Sequence, residues 1–282
     1  MRRSRHRGRR LRGLLMEALM FAAAIVVLVP LVSILFYAAR QGLPGLTLEF
    51  LTSMPRPVGE PGGGMANAIA GSIVMVSLAA LMAIPLGVLA AVYLSEYGET
   101  RVASAIRFGS DVLAGVPSIV VGVFVYALAV VPVRHFNGFA GSLALAVIML
   151  PTVTRTTEAV LRLVPTSLRE GALALGATRW RAILTVVIPS ALPGIVTGSM
   201  LAIARAAGET APLLFTALGN RFWSLDLTQP MASLPVQIYT YAISPYEDWH
   251  RQAWTGATVL ILLVLATSIA ARRYARARGA LR

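Results

Sequence analysis

The sequence predicts an all-α polytopic membrane protein with six transmembrane helices. Composition is the first reason. The chain has 282 residues, 57% of them hydrophobic and only 13% charged, and a mean hydropathy of +0.73. A soluble domain carries about 25% charged residues, and a water-soluble fold of this size could not hide so much apolar surface. Length is the second. A hydrocarbon core about 30 Å thick takes roughly 20 apolar helical residues to cross, and six stretches qualify: 14–39, 67–94, 110–131, 139–153, 192–218 and 253–271, the fourth being the shortest. The third reason is where the charge sits. The net charge of +13 comes from arginine alone, since the chain has no lysine, and many arginines cluster in two tails beside apolar runs. That is how topology-setting charges are placed, and it argues against nucleic-acid binding.

The first span follows a tail holding Arg2, Arg3, Arg5, Arg7, Arg9, Arg10 and Arg12. Its apolar run exceeds the roughly 7–15 residues of a signal-peptide core, and no clear A-x-A site follows, so it reads as a retained helix. With the N-terminus cytoplasmic, the tails, Arg101, Arg107 and the loop between the fourth and fifth spans (Arg155, Arg162, Arg169, Arg179, Arg181) lie inside. Only Arg40, Arg56, Arg134, Arg221 and Arg251 lie outside. This roughly fourfold bias predicts a cell-membrane protein with both termini cytoplasmic.

Segment 41–66 holds Pro44, Pro55, Pro57, Pro61 and Gly62-Gly63-Gly64, which forbids a continued helix and predicts an external loop. Segment 220–252, with Trp223, Tyr239, Tyr241, Tyr246 and Trp249, and Trp254 just beyond it, predicts an external stretch with an interfacial aromatic belt. The expected organisation is a basic tail (1–13), a first transmembrane helix (14–40), an external loop (41–66), a transmembrane domain (67–272) with a cytoplasmic loop at about 155–190, and a second basic tail (273–282).

No catalytic set is present. His6, His135 and His250 are far apart, and H-E-x-x-H and G-x-S-x-G are both missing. Zero cysteines rule out disulfides and thiolate metal sites. Without lysine the chain cannot build the usual ATP phosphate-binding loop. If ATP is used, another polypeptide hydrolyses it.

The loop between the fourth and fifth spans is patterned. Pro165 closes one segment, and Ser167 stands three residues before Glu170, the spacing of a capping box. A helix is expected over 168–175, ended by Gly176. Thr178 should cap a second helix running to Ile188, with Pro189 as its stop. The result is a compact knob, either a bland surface helix pair or a docking element. In the fifth span, Arg205 and Glu209 fall four residues apart and hence on one helix face, with Gly198, Ala202, Pro212 and Thr216 nearby. A charge mid-membrane costs roughly 2.5–3.5 kcal/mol. The pair is therefore either a structural salt bridge or a contact for a polar solute.

These residues carry a resemblance. Glu170-Gly171-Ala172, then Gly176, then Val186-Val187-Ile188-Pro189 resembles the EAA loop of binding-protein-dependent importer permeases in its spacing throughout, with Gly171, Val186 and Ile188 as small departures. The runs 114–122 (AGVPSIVVG), 169–180 (REGALALGATRW), 193–198 (PGIVTG) and 202–214 (AIARAAGETAPLL) are similar to PstA-type phosphate permeases, and the likeness spans the chain from about residue 42. The resemblance implies a type I ABC-importer core of five helices plus an N-terminal helix. It implies that the chain is no enzyme and binds no cofactor, ATP and Mg sitting on a partner ATPase. The implied partners are a PstC-type second permease, a cytoplasmic ATPase dimer docked on the loop of Glu170, Gly171, Ala172, Gly176 and Pro189, an external phosphate-binding protein, inorganic phosphate and the lipid bilayer. It implies that Arg205 and Glu209 act on phosphate in transit. The sister PstC-type subunit, or a permease for molybdate or sulfate, is the alternative.

Overall fold

The computed structural model describes residues 2–60 and 62–279, and side chains over 13–60 and 62–273. His6 and most of both basic tails thus have side chains outside the described residues. Every regular element described is helical: α1 (Arg2–Gly42), α2 (Leu48–Thr52), α3 (Ala66–Glu96), α4 (Arg101–Gly115), α5 (Ser118–Val125), α6 (Gly138–Arg162), α7 (Thr166–Ala174), α8 (Arg179–Ala182), α9 (Ile188–Ala207), α10 (Ala211–Thr216), α11 (Leu234–Ala242) and α12 (Glu247–Gly279). Five helical runs are long and apolar enough to cross a membrane: Gly13–Gly45, Ala66–Glu96, Gly138–Arg162, Arg179–Ala207 and Glu247–Arg273. This is a multi-pass membrane protein.

The third expected span, 110–131, is not one straight helix. Arg101–Gly115 and Ser118–Val130 meet at 105° and make a sixth span only if the bent pair counts as one. Pro117 is the cause. The residue before a proline is pushed out of the helical region, and Val116 sits at φ −71, ψ 129. The fourth span is longer than 139–153. Asn137 caps it, its side chain accepting from the Ala140 N–H at 2.7 Å, and the helix runs on to Arg162. Residues 155–162 therefore belong to α6 and not to the loop.

The fifth span is displaced from 192–218 toward the knob. Pro189 does not stop a helix. A wider turn at Ile183–Val187, in which the Ile188 N–H donates to Ile183 O, joins α8 to α9. Pro189 follows directly within the continuous run Arg179–Ala207, and the wider turn before it accommodates the missing N–H. The run ends at Ala207. Residues 208–210 interrupt it, and Pro212 stands in the first turn of α10.

The core is built on α3 against α6. Gly71, Met75, Ala79, Ala83, Gly87 and Ala91 of α3 are all buried and recur every four residues, a narrow stripe of mostly small side chains. Small stripes let membrane helices approach closely. A Cβ on Gly87 would lie 2.8 Å from Val153 of α6, and on α9 a Cβ at Gly194 would lie 2.4 Å from Val160. Ala202 and Ala206 of α9 share one buried cluster with Leu145, Met149 and Val153 from the middle of α6. By contrast, the apolar window of α1 has none of its residues buried within the chain. Among the described residues, α1 is docked at its end, where the Thr258 hydroxyl donates to Ala38 O at 3.0 Å and Tyr37 meets Trp254 edge-on at 5.0 Å.

Candidate functional site

Arg205 and Glu209 do come together, though not mid-helix. Arg205 lies in the last turn of α9, where the helix dipole favours a cation. Glu209 lies in the break before α10. Arg205 Nε and Glu209 Oε1 are 3.8 Å apart, and the side chains are 55% and 16% exposed. That separation is an ion pair but exceeds hydrogen-bond length, so the guanidinium donors are not committed to the carboxylate. Because Ala202 and Ala206 pack against the middle of α6, the pair sits near half-height of the bundle. Thr197, Leu201 and Arg205 form one exposed stripe along α9. A half-exposed arginine at that depth faces either another subunit or a watery path, since lipid would penalise it. Gly198, Ala202, Pro212 and Thr216 do not line that face as the helical spacing predicts. All four are buried in the bundle. Gly198 abuts Thr156 and Pro212 abuts Gly122.

The knob is present but is capped differently. α7 starts at Thr166 with Pro165 at its N-cap and no side-chain cap, so the Ser167–Glu170 box does not form. Proline before the helix places the cap position two residues earlier than the pattern predicts. Gly176 adopts φ +84, and the Ala177 N–H reaches back to Ala172 O at 3.1 Å, closing the turn. Thr178 holds the N-cap position of α8 without a side-chain bond. Glu170 and Gly171 are exposed, and so are Leu168, Leu173, Leu175 and Trp180, Leu175 at 91%. An apolar patch rimmed by charge is what a protein-docking surface offers.

Two ionic clusters at the knob end were not singled out from the sequence. Glu96, at the end of α3, pairs with Arg169 at 3.2 Å and Arg179 at 3.7 Å. Arg169 also donates to Val164 O and Leu161 O, closing the end of α6, and Arg179 lies 4.5 Å over the Tyr97 ring. Buried Glu158 of α6 accepts from Arg107 at 2.8 Å and Arg155 at 3.1 Å and forms an ion pair with Arg162 at 2.9 Å. These ties fix the knob to α3 and the α4 base to α6. The i−3 and i+4 spacing of Arg155 and Arg162 about Glu158 was the readable signal. The Arg107 and Glu96 pairings join distant segments and left no local mark.

Comparison with known proteins shows the family and the fold. Residues 83–278 match the profile of the family described as binding-protein-dependent transport system inner membrane component. The chain is 47% identical over 272 residues to the phosphate transport system permease protein PstA of Yersinia pestis, covering 96% of this chain and 92% of that one. The PstA protein of Pasteurella multocida is 48% identical, with 94% of each chain covered, and that of Mycobacterium leprae 41%, with 91% and 86% covered. The chain belongs to the PstA family of binding-protein-dependent transport permeases. Among solved structures, an inward-facing MetNI methionine ABC transporter aligns with a TM-score of 0.60 at 23% identity, over 76% of this chain and 94% of that one. At that identity the likeness speaks for fold. This permease therefore has the ABC-importer permease fold.

Proposed function

We propose that this permease translocates inorganic phosphate across the cell membrane as the transmembrane subunit of an ATP-driven importer. The observation that carries this reading is identity of 47–48% to two PstA phosphate permeases over more than nine-tenths of the chain. It favours PstA over the sister PstC type and over molybdate or sulfate permeases. The chain itself is the path and not the enzyme. A second PstC-type permease, an ATPase dimer carrying ATP and Mg, and an external phosphate-binding protein complete the machine. The arginine bias puts both termini and the knob in the cytoplasm. A reporter fused after Arg282 is expected inside and one near Gly63 outside. Both on one side would overturn the orientation.

Arg205 and Glu209 are the residues assigned to the substrate. A planar guanidinium grips two phosphate oxygens at once. Glu209 accepts from the proton that phosphate still carries near neutral pH, which sulfate lacks. The 3.8 Å gap between them leaves the donors and the acceptor free to engage one tetrahedral anion together. Alternating access follows from the ionic ties. ATPase closure moves the segment of Glu170, Gly171, Ala172, Gly176 and Pro189; Arg169 and Arg179 pass the motion to α3 through Glu96, and Arg169 passes it to the end of α6 through Leu161 O and Val164 O.

Purified complex in proteoliposomes tests the reading. Phosphate, delivered by its binding protein, should stimulate ATP hydrolysis, while sulfate and molybdate should not. Stimulation by either rival anion with none by phosphate would refute it. Gly176→Val tests the knob. A β-branched residue at φ +84 is strained, so the α7–α8 turn should shift and ATPase co-purification should fall. The spans are untouched, so membrane insertion should persist. Normal co-purification with normal transport would remove the docking role.

A further inference from the structure

We propose a second oxyanion site, on the outer side of Arg205 and Glu209, in the cavity that runs along one face of α11 from its N-cap Ser233 to Tyr241. The cavity has a volume of about 220 Å³ and is lined by Asn220, Arg221, Ser233, Gln237, Thr240 and Tyr241, among others. Liquid water takes about 30 Å³ per molecule, so a tetrahedral oxyanion fits with waters to spare. The lining holds one cation and no carboxylate. Arg221 makes no salt bridge among the described residues.

Two features place positive character and a hydrogen-bonding group at the Ser233 end of this cavity. One is the start of α11. Its Leu234 N–H is held by the Ser72 hydroxyl at 2.7 Å, almost two turns inside α3. The helix then runs out toward Trp249, on which Tyr241 stacks at 4.4 Å. The positive end of its dipole therefore points inward, as at other anion sites on half-helices. The other is Ser233. It occupies the N-cap of α11, where a serine normally accepts from the helix N–H groups, yet it makes no side-chain cap bond. Its residue is 2% exposed and its hydroxyl has no hydrogen-bond partner. A buried unbonded hydroxyl costs about 1–3 kcal/mol, and an anion or its water shell would relieve that cost. Around Tyr241, burial pushes the phenol up, with Gln237 and the Arg221 charge opposing it.

The cavity is one short helix from the first site. Glu209 precedes α10, and Leu218, which follows α10, lines the cavity wall. An anion released at the outer face is held here before it passes to Arg205. The ligand class and the outward opening rest on the phosphate-import reading.

The chain has no cysteine, so an introduced thiol is the only one on this chain, and its labelling is read on this chain after the subunits are separated. Thr240→Cys is exposed and is labelled by a thiol reagent in the assembled transporter, with inorganic phosphate or chloride at matched ionic strength. Bound ligand slows labelling by 1 + [L]/Kd, about threefold at twice the Kd. Phosphate should slow it by that order, and adding Arg221→Gln should abolish the protection. Unchanged labelling in phosphate would overturn the site, as would protection that survives Arg221→Gln. Phosphate uptake by the cysteine-free parent is measured alongside. Uptake without protection sinks this site and leaves the import reading intact. Protection without uptake keeps the site and sinks the reading.

Discussion

Glu158→Gln should destabilise the permease by about 3–5 kcal/mol, the range for removing one partner of a buried ion pair. Glu158 is only 4% exposed and faces three guanidinium groups. They are not equal. Arg155 and Arg162 are 42% and 55% exposed, so they can turn to water or headgroups and contribute little. Arg107 is held in place, because its other nitrogens donate to Gly98 O at 2.8 Å and Leu94 O at 2.9 Å. It cannot follow a lost partner without uncapping the end of α3. A glutamine offers one acceptor, but its amide donors face cations. Heat-induced loss of the monodisperse detergent-solubilised complex measures the effect. Adding Arg107→Gln should recover part of the loss, since the fixed cation is then gone. A Glu158→Gln protein as heat-resistant as the parent would mean that the cluster does not hold α4 to α6.

Much of this fold was legible because lipid imposes a simple rule. Backbone groups in the membrane must bond internally, so long apolar runs become helices, and the spans at 67–94 and 253–271 lie within α3 and α12. What was not legible depends on proline in context. Pro85, Pro151 and Pro193 lie inside helices that continue past them, whereas Pro117 accompanies a 105° bend. Composition cannot separate these cases, because the neighbours that restore a lost hydrogen bond come from elsewhere in the chain. Pro189 is a local case: a wider turn at Ile183–Val187, just before it in the same run, absorbs it. For the candidate sites, Gly176 was readable because positive φ has a residue signature. The Arg205–Glu209 contact was readable from spacing. Their surroundings were not, because the break at 208–210 takes Pro212 and Thr216 off the α9 face. Glu96 and Arg107 find partners across dozens of residues, and only the fold reveals them.

Arg205→Lys should leave the complex assembled while phosphate uptake falls at least about tenfold, equivalent to about 1.4 kcal/mol of barrier. Lysine keeps the charge and loses the planar two-pronged donor set. The structural alternative, a salt bridge that locks packing, predicts the reverse: normal uptake per assembled complex, or loss through instability. The geometry weighs against a lock. At 3.8 Å, with Arg205 55% exposed, the pair resembles exposed ion pairs worth about 0–1 kcal/mol. Glu209→Gln should also assemble, but lose preference for the more protonated phosphate species, because an amide presents donors as well as an acceptor. The double change Arg205→Ala with Glu209→Ala separates the two roles. A bridge predicts that the double variant regains stability relative to either single one, since no lone charge remains. A substrate role predicts that uptake stays lost. Uptake in proteoliposomes and heat resistance of the complex, measured on the same preparations, decide between them. A double variant that transports at nearly the parental rate would make the pair structural and move the phosphate contact elsewhere in the path.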